Sequence, residues 1–283
     1  MTGRGAYTWG PWLITSPIRL GDQAIRTIYH ITLPATDPHS LSQDQAYFKL
    51  LEDGVESTIR FHDYAELYRR PGLYEQLFYQ RLKCTSPKKI SEILAKVLRD
   101  NRVEMGELRV LDLGAGNGMV GEQLQGLGVA RIIGVDICPA AREACLRDRP
   151  GVYDDYCVQD LSDKSPEAQE RLSAWQPDCL VSVAALGFGD IPPTAFAHAF
   201  ELIPVGGWVA FNIKETFLLA ADRSGFSELI KTMMMSDTLE VHHLERYRHR
   251  VSIDGRGLFY YALIGRKEKD IDPRELDRLV LAG

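Results

Sequence analysis

The segment Arg109-Val110-Leu111-Asp112-Leu113-Gly114-Ala115-Gly116-Asn117-Gly118 narrows most sharply what this chain folds into. Arg109 to Leu113 reads as a short buried strand, and Met119 to Leu127 has the spacing of a helix that ends at Gly128. Glycines at 114, 116 and 118 let the intervening turn bend tightly and bring backbone close to a ligand. In open parallel α/β sheets the ligand crevice lies at the carboxyl ends of the strands, where this turn sits. The turn alone does not choose the ligand. It also reads as a tight strand-to-helix connection with no ligand, and Gly116-x-Gly118-x-x-Gly121 satisfies the dinucleotide fingerprint.

Downstream the pattern repeats. Strands are expected at Ala130–Val135, Tyr156–Gln159, Cys179–Ala184 and Gly207–Ile213, with helices at Pro139–Arg149, Pro166–Trp175 and Pro193–Ile203 between them. Such alternation implies right-handed crossovers and a doubly wound α/β fold, a mostly parallel sheet covered on both faces. After a helix near Phe226–Met235, the runs Leu239–Val251 and Leu258–Arg266 flank the turn-rich Ile253–Gly257. That is a hairpin signal, so one of the last strands must enter the sheet reversed. Asp272-Pro273 opens a short terminal helix.

Composition shifts near residue 106. Before it, Trp12–Leu20 and Ala24–Leu33 are expected to pair across Gly21-Asp22, and Pro34–Ser42 reads as a loop. Ser42 with Gln45 resembles a capping box for a helix ending near Gly54. Ser86-Pro87 opens another, running to about Asn101. The aromatic stretch Phe61–Leu82, broken at Pro71-Gly72, reads as two short helices over the sheet's active edge. The expected division is an N-terminal extension with a β-hairpin and a helix (1–60), a helical lid and lead-in helix (61–105), a core (106–268) and a C-terminal helix (269–283).

Among 283 residues, 33 are basic and 39 acidic, a net charge of −6, and 45% are hydrophobic. This is the balance of an ordinary soluble globular protein. With a mildly acidic chain and no local basic patch, no nucleic-acid partner is expected. Five cysteines form no Cys-x-x-Cys pair and no zinc-type spacing, which points to reduced thiols in the cytoplasm and to no metal. No apolar run approaches the 18 residues of a membrane span, so no membrane is expected.

Acidic residues at successive strand ends sharpen the reading of the glycine turn. Asp136 closes Ile132-Ile133-Gly134-Val135, where a carboxylate accepts both hydroxyls of a ribose. Asp160 closes the next strand and is followed by Leu161, so an acceptor and an apolar side chain meet where an adenine would lie. Either aspartate also reads as a helix N-cap.

Taken together, VLDLGAGNG, GVDI, VQDL, CLVSVAALGFGDIPP and PVGGWVAFNIKE resemble a class I S-adenosylmethionine-dependent methyltransferase over about residues 106–266. GVYDDYCVQDLSD followed by VSVAALGFGDIPP is similar to the small methyltransferase-like 27 (Williams–Beuren region) group. The resemblance implies a Rossmann-like sheet of seven strands with a reversed last strand, S-adenosylmethionine as cofactor and S-adenosylhomocysteine as product. Carried over, Gly114, Ala115, Gly116, Asn117 and Gly118 cradle the amino-acid part, with Asp112 supporting the loop and its ammonium side. Asp136 holds the ribose, Ile137 and Leu161 sandwich the adenine, Asp160 accepts from its amine, and Ala184 or Ala185 lies near the methionine portion. Tyr64 and Tyr68, at i and i+4, match the tyrosine-bearing helix that closes over the cofactor; an aromatic face packed into a core is the other reading.

The chain lacks the Asn/Asp-Pro-Pro-Tyr signature after its fourth strand that many enzymes acting on DNA bases and glutamine carry, which disfavours such substrates. Asp190, Asn212 and His198 assemble into a metal site only by assumption. If methyl transfer needs a base, His62 in the lid is the first candidate, with His198 and the pair His242-His243 behind it; Asn212 and Lys214 are placed to orient a polar substrate. The expected activity is transfer of a methyl group to O or N of a small organic molecule. The rivals are an NAD-dependent oxidoreductase, a catalytically silent nucleoside-binding domain and a protein side-chain methyltransferase. Residues 1–60 exceed the needs of the core and are expected to shape the acceptor pocket or a homodimer contact.

Overall fold

A computed structural model describes residues 19–20, 23–24, 27–34, 45–187, 190–218, 225–272 and 274. Strands β1 (Arg19–Leu20) and β2 (Gln23–Ala24) pair antiparallel across Gly21-Asp22, which matches only the tip of the expected pairing of Trp12–Leu20 with Ala24–Leu33: residues 12–18 lie outside the described part, and His30–Thr32 pairs with residues 49–51 instead. Next come β3 (His30–Thr32), β4 (Tyr47–Glu52) and β5 (Val55–Arg60), an antiparallel sheet of three. The helix expected to end near Gly54 is therefore wrong over residues 47–52. Phe48 and Leu50 are fully buried while their neighbours are not, the period-two pattern of a half-buried strand. Asp53 and Gly54, at φ +50° and +79°, form the Asp-Gly hairpin turn that outweighs the capping-box signal.

The lid comprises α1 (Tyr64–Arg69) and α2 (Leu73–Glu75), which runs into a π-helical turn, Gln76–Arg81. The lead-in helix α3 (Ser86–Asp100) follows. The core then alternates as β6 (Arg109–Leu113), α4 (Met119–Gly126), β7 (Arg131–Asp136), α5 (Pro139–Asp148), β8 (Asp155–Val158), α6 (Pro166–Ala174), β9 (Cys179–Ser182), α7 (Pro193–Glu201) and β10 (Trp208–Lys214). It closes with α8 (Phe226–Met235) and the hairpin β11 (Leu239–Val251) and β12 (Gly257–Lys267). The terminal helix expected from Asp272-Pro273 lies, apart from Arg274, outside the described residues.

Seven strands form one sheet in the order β11-β12-β10-β9-β6-β7-β8. All neighbours from β10 to β8 are parallel, while β12 is antiparallel to both β10 and β11. This is the Rossmann-like methyltransferase fold with its last strand reversed. One face is covered by α6, α7 and α8 through Leu172, Phe196, Phe200 and Met233, and the other by α3 and α4 through Leu94, Leu98 and Leu124. Strand order reverses on either side of β6, so the crevice opens where β6 and β9 end. No helix among the described residues is long and apolar enough to cross a membrane.

Outside this sandwich, β4, β5 and the lid share a third core with the far end of β11, joining Phe48, Phe61, Leu67 and Leu77 to Val251. Backbone bonds tie them: the N–H of Thr85 donates to the His249 carbonyl (2.9 Å) and that of Val251 to the Leu82 carbonyl (2.7 Å). The extension and the final hairpin thereby hold the lid over the crevice.

Candidate active site

The glycine turn is fixed from below by β7. The N–H groups of Gly114 and Ala115 both donate to the Val135 carbonyl, and that of Gly116 donates to Oδ2 of Asp136 at 2.8 Å. Oδ1 of Asp136 accepts from Cys138 N, also at 2.8 Å. Burial pushes the Asp136 carboxyl upward and these donors pull it back. Tyr156 donates to the Gly116 carbonyl at 2.7 Å, holding the turn from behind. Asp112 is fully buried beneath the turn: Oδ2 accepts from Tyr153 at 2.6 Å, Oδ1 has no partner among the described residues, and burial drives the carboxyl up to about 7.

Two elements of the lid, α1 and α2, close from above. Tyr64 and Tyr68 stack at 6.1 Å, Tyr74 lies against Tyr68 at 5.1 Å, and the Tyr68 hydroxyl sits over Gly116, where a Cβ would come within 2.6 Å of it. The buried Glu75 locks lid to turn: its Oε1 accepts from Asn117 Nδ2 at 2.7 Å and from Arg149 Nη1 at 2.9 Å, and Arg149 also donates to the Asn117 carbonyl. Between lid and strand ends runs a cleft of about 970 Å³ counted out to its open mouth.

Of the residues expected from sequence, Tyr64, Tyr68, Gly114, Ala115, Gly116, Asn117, Asp136, Ile137, Asp160, Leu161 and Ala184 line this cleft. Ile137 is 59% exposed, an apolar side chain presented to the opening. Asp112 lies beneath the turn, and Gly118 packs instead toward Cys145 and Val152. His62 belongs to an adjoining chamber that shares Tyr64, Tyr74, Ala184 and Asp190 with the cleft. There His62 Nδ1 meets Asp190 Oδ2 at 2.9 Å, and Tyr64 donates to the same oxygen at 3.2 Å. Burial and Asp190 hold the Tyr64 phenol well above its ordinary range, so it stays a donor.

The remaining candidates serve elsewhere. His198 is buried on α7 and its Nδ1 donates to the Leu161 carbonyl at 2.7 Å. His242 and His243 pair with Glu240 and Glu245 on β11. Asn212, expected to orient a substrate, is buried instead behind the chamber. Its Oδ1 accepts from Ala184 N at 2.6 Å and its Nδ2 donates to Tyr247, which steadies Ala184 at the left-handed φ of +58°. Lys214 lines neither the cleft nor the chamber. Glu75, Arg149, Tyr153, Tyr156, His249 and Arg250 are not among the residues expected from sequence, since the groups that bring them to the site lie tens of residues away and no local spacing announces them; Tyr74 belongs to the aromatic stretch already noted.

A family described as a methyltransferase domain matches residues 77–250, more than half of the chain. Among solved structures, the N-methyltransferase NodS from Bradyrhizobium japonicum WM9, in complex with S-adenosyl-L-homocysteine, is 13% identical, with 74% of this chain and 98% of that chain covered and a TM-score of 0.49. Magnesium protoporphyrin IX methyltransferase from Synechocystis PCC 6803 with bound SAM is 12% identical, covering 64% and 79%, at 0.46. A ribosomal protein L11 methylase from Lactobacillus delbrueckii subspecies bulgaricus is 14% identical, covering 65% and 79%, at 0.43. The curated proteins contain no match. At such scores these likenesses say nothing about the acceptor. The family match, over a seven-stranded sheet with a reversed last strand, makes this chain a member of the class I S-adenosylmethionine-dependent methyltransferases.

Proposed function

We propose that the chain moves a methyl group from S-adenosylmethionine to O or N of a small organic molecule, with the cofactor in the cleft and the acceptor in the adjoining chamber. The observation that carries this reading is the junction: Tyr64, Tyr74, Ala184 and Asp190 line both spaces, so a methyl donor in one faces an acceptor in the other. The residues present fit the cofactor. Only glycine leaves room under the Tyr68 hydroxyl at position 116, each oxygen of Asp136 keeps a lone pair for a ribose hydroxyl beyond its backbone donor, and Ile137 and Leu161 offer apolar surface for an adenine.

When bound, the cofactor would supply an electrophilic methyl on a sulfonium whose sulfur is the leaving group, and the acceptor that took the methyl would give up a proton. The chain contributes mainly position. The lid excludes water, Ala184 shapes the junction, and His62 takes the proton. With its Nδ1–H directed at Asp190, His62 carries its lone pair on Nε2, and Asp190 steadies the cation that forms.

The finer placement in the small methyltransferase-like 27 group rests on motif wording alone. Division into an extension (1–60), lid and lead-in helix (61–105), core (106–268) and C-terminal helix (269–283) belongs to the same proposal, with the extension supporting the lid. Five free thiols favour the cytoplasm. The test is calorimetric titration of the protein and its Asp136→Ala variant with S-adenosylhomocysteine, S-adenosylmethionine and NAD. Adenosyl binding that weakens in the variant supports the reading. Binding of NAD alone moves the cleft to an oxidoreductase, and binding of none moves it to a silent domain.

A further inference from the structure

Strand β11 loses its alternation at its far end. The register with β12 slips between Arg248 and Arg250, a β-bulge, and the consecutive residues His249 and Arg250 are both buried, at 5% and 4% exposure. A regular strand would turn one of them outward. Both instead line the chamber beside the cleft, with Cys84, Tyr64, Tyr74 and Asp190.

Among the described residues, Arg250 is a guanidinium without a counter-ion. Among the described residues its one hydrogen bond goes from Nη1 to the carbonyl of Val251 at 3.0 Å, and the rings of Phe61 and Phe78 lie 5.6 and 5.7 Å from it. No carboxylate among the described residues pairs with it. Its surroundings are neutral. Burial and Arg250 itself push His249 well below its ordinary range, burial raises the Cys84 thiol, and the nearby phenols of Tyr64 and Tyr74 are raised too. The one carboxylate of the chamber, Asp190, is already shared by His62 and Tyr64. A buried cation held only by one carbonyl and two ring faces is costly unless an anion joins it, and a guanidinium fork matches a planar carboxylate.

We infer that the acceptor is a small organic acid whose carboxylate pairs with Arg250 while its hydroxyl or amine lies at the His62–Asp190 end of the chamber. This rests on the methyltransferase reading and narrows it. An amine or neutral acceptor without an anionic group would leave Arg250 as unpaired as before, so the chamber selects for charge as well as shape.

The test uses the full chain saturated with S-adenosylhomocysteine, with benzoate and its neutral isostere benzamide as probes in thermal-shift and competition measurements. Benzoate is expected to stabilise wild type and to bind at least tenfold better than benzamide, with the preference lost in Arg250→Met and partly kept in Arg250→Lys. Arg250→Met should bind S-adenosylhomocysteine as wild type does and melt no lower, because an uncompensated cation has been replaced by an apolar chain; a structural role for Arg250 would lower the melting temperature. Equal binding of benzoate and benzamide, benzoate binding that survives in Arg250→Met, or an Arg250-dependent response to inorganic phosphate but not to benzoate would each overturn the inference. Failure of S-adenosylhomocysteine to bind wild type would instead strike the underlying reading.

Discussion

Replacing Gly116 with alanine tests whether the lid rests on the glycine turn as described. Position 116 sits at φ +54°, where an L side chain costs about 1–2 kcal/mol. The added Cβ would stand 2.6 Å from the Tyr68 hydroxyl, well short of the 3.4 Å at which ordinary contact begins. Tyr68 has little room to retreat, being buried and flanked by Tyr64 and Tyr74. Overpacking of that kind costs about 1–3 kcal/mol, so Gly116→Ala should lose about 2–5 kcal/mol in all. Tyr68→Phe in the same chain removes the clashing oxygen, since the ring carbon behind it is 3.5 Å away. The double variant should therefore regain about 1–3 kcal/mol, leaving the backbone strain. Urea unfolding of wild type, both single variants and the double variant yields the coupling, and calorimetry with S-adenosylhomocysteine should show the same partial rescue. Additivity within about 0.5 kcal/mol would mean that Tyr68 does not cover Gly116 in solution.

Asp112 predicts a dependence on pH. Its carboxyl is raised from 3.8 to about 7, so the folded chain holds the extra proton between those values and this group's contribution to stability falls as pH rises through that window, levelling above it. Measured by urea midpoints, the stability of Asp112→Asn relative to wild type should rise by about 2–3 kcal/mol from pH 5 to pH 8; a flat difference refutes the buried, largely unpaired carboxyl. Lys267 is fully buried at the end of α7, donating to the carbonyls of Phe200 and Ile203 at 3.0 and 2.7 Å. Lys267→Met should cost about 2–4 kcal/mol, and a neutral effect on thermal unfolding would show that those carbonyls find other partners. With an acceptor in hand, His62→Gln should lower kcat by about 100-fold or more and leave S-adenosylhomocysteine affinity unchanged. An unaltered kcat would exclude His62 as the base.

Much of the core was legible because its signals are local. Glycines at 114, 116 and 118 stand where the backbone takes positive φ, and Asp136 at the end of β7 and Asp160 two residues past β8 fall on the cleft because the continuous apolar runs of these buried parallel strands stop there. Reading failed where two local signals competed: Ser42 and Gln45 suggested a helix, but burial of Phe48 and Leu50 against Phe61 and Leu67 demanded a strand. It also failed for Asn212, whose polar strand-end position suggested a substrate contact, whereas Ser86, Ala184 and Tyr247 consume its hydrogen bonds.

The amino-acid order by itself determined the alternation of strands and helices, the reversed final strand and the glycine turn, since each depends on periodicity or on backbone freedom within about ten residues. The tertiary structure alone decided the lock between lid and glycine turn and the chamber beside the cleft. Glu75 reaches Asn117 and Arg149 across 42 and 74 residues, and His62 reaches Asp190 across 128. The bulge that turns both His249 and Arg250 inward exists only once β11 has paired with β12 and met the N-terminal lid. Hydrogen bonds and charge pairing depend on distance in space, which sequence separation does not encode, so the lining of this chamber became readable only when the chain had closed on itself.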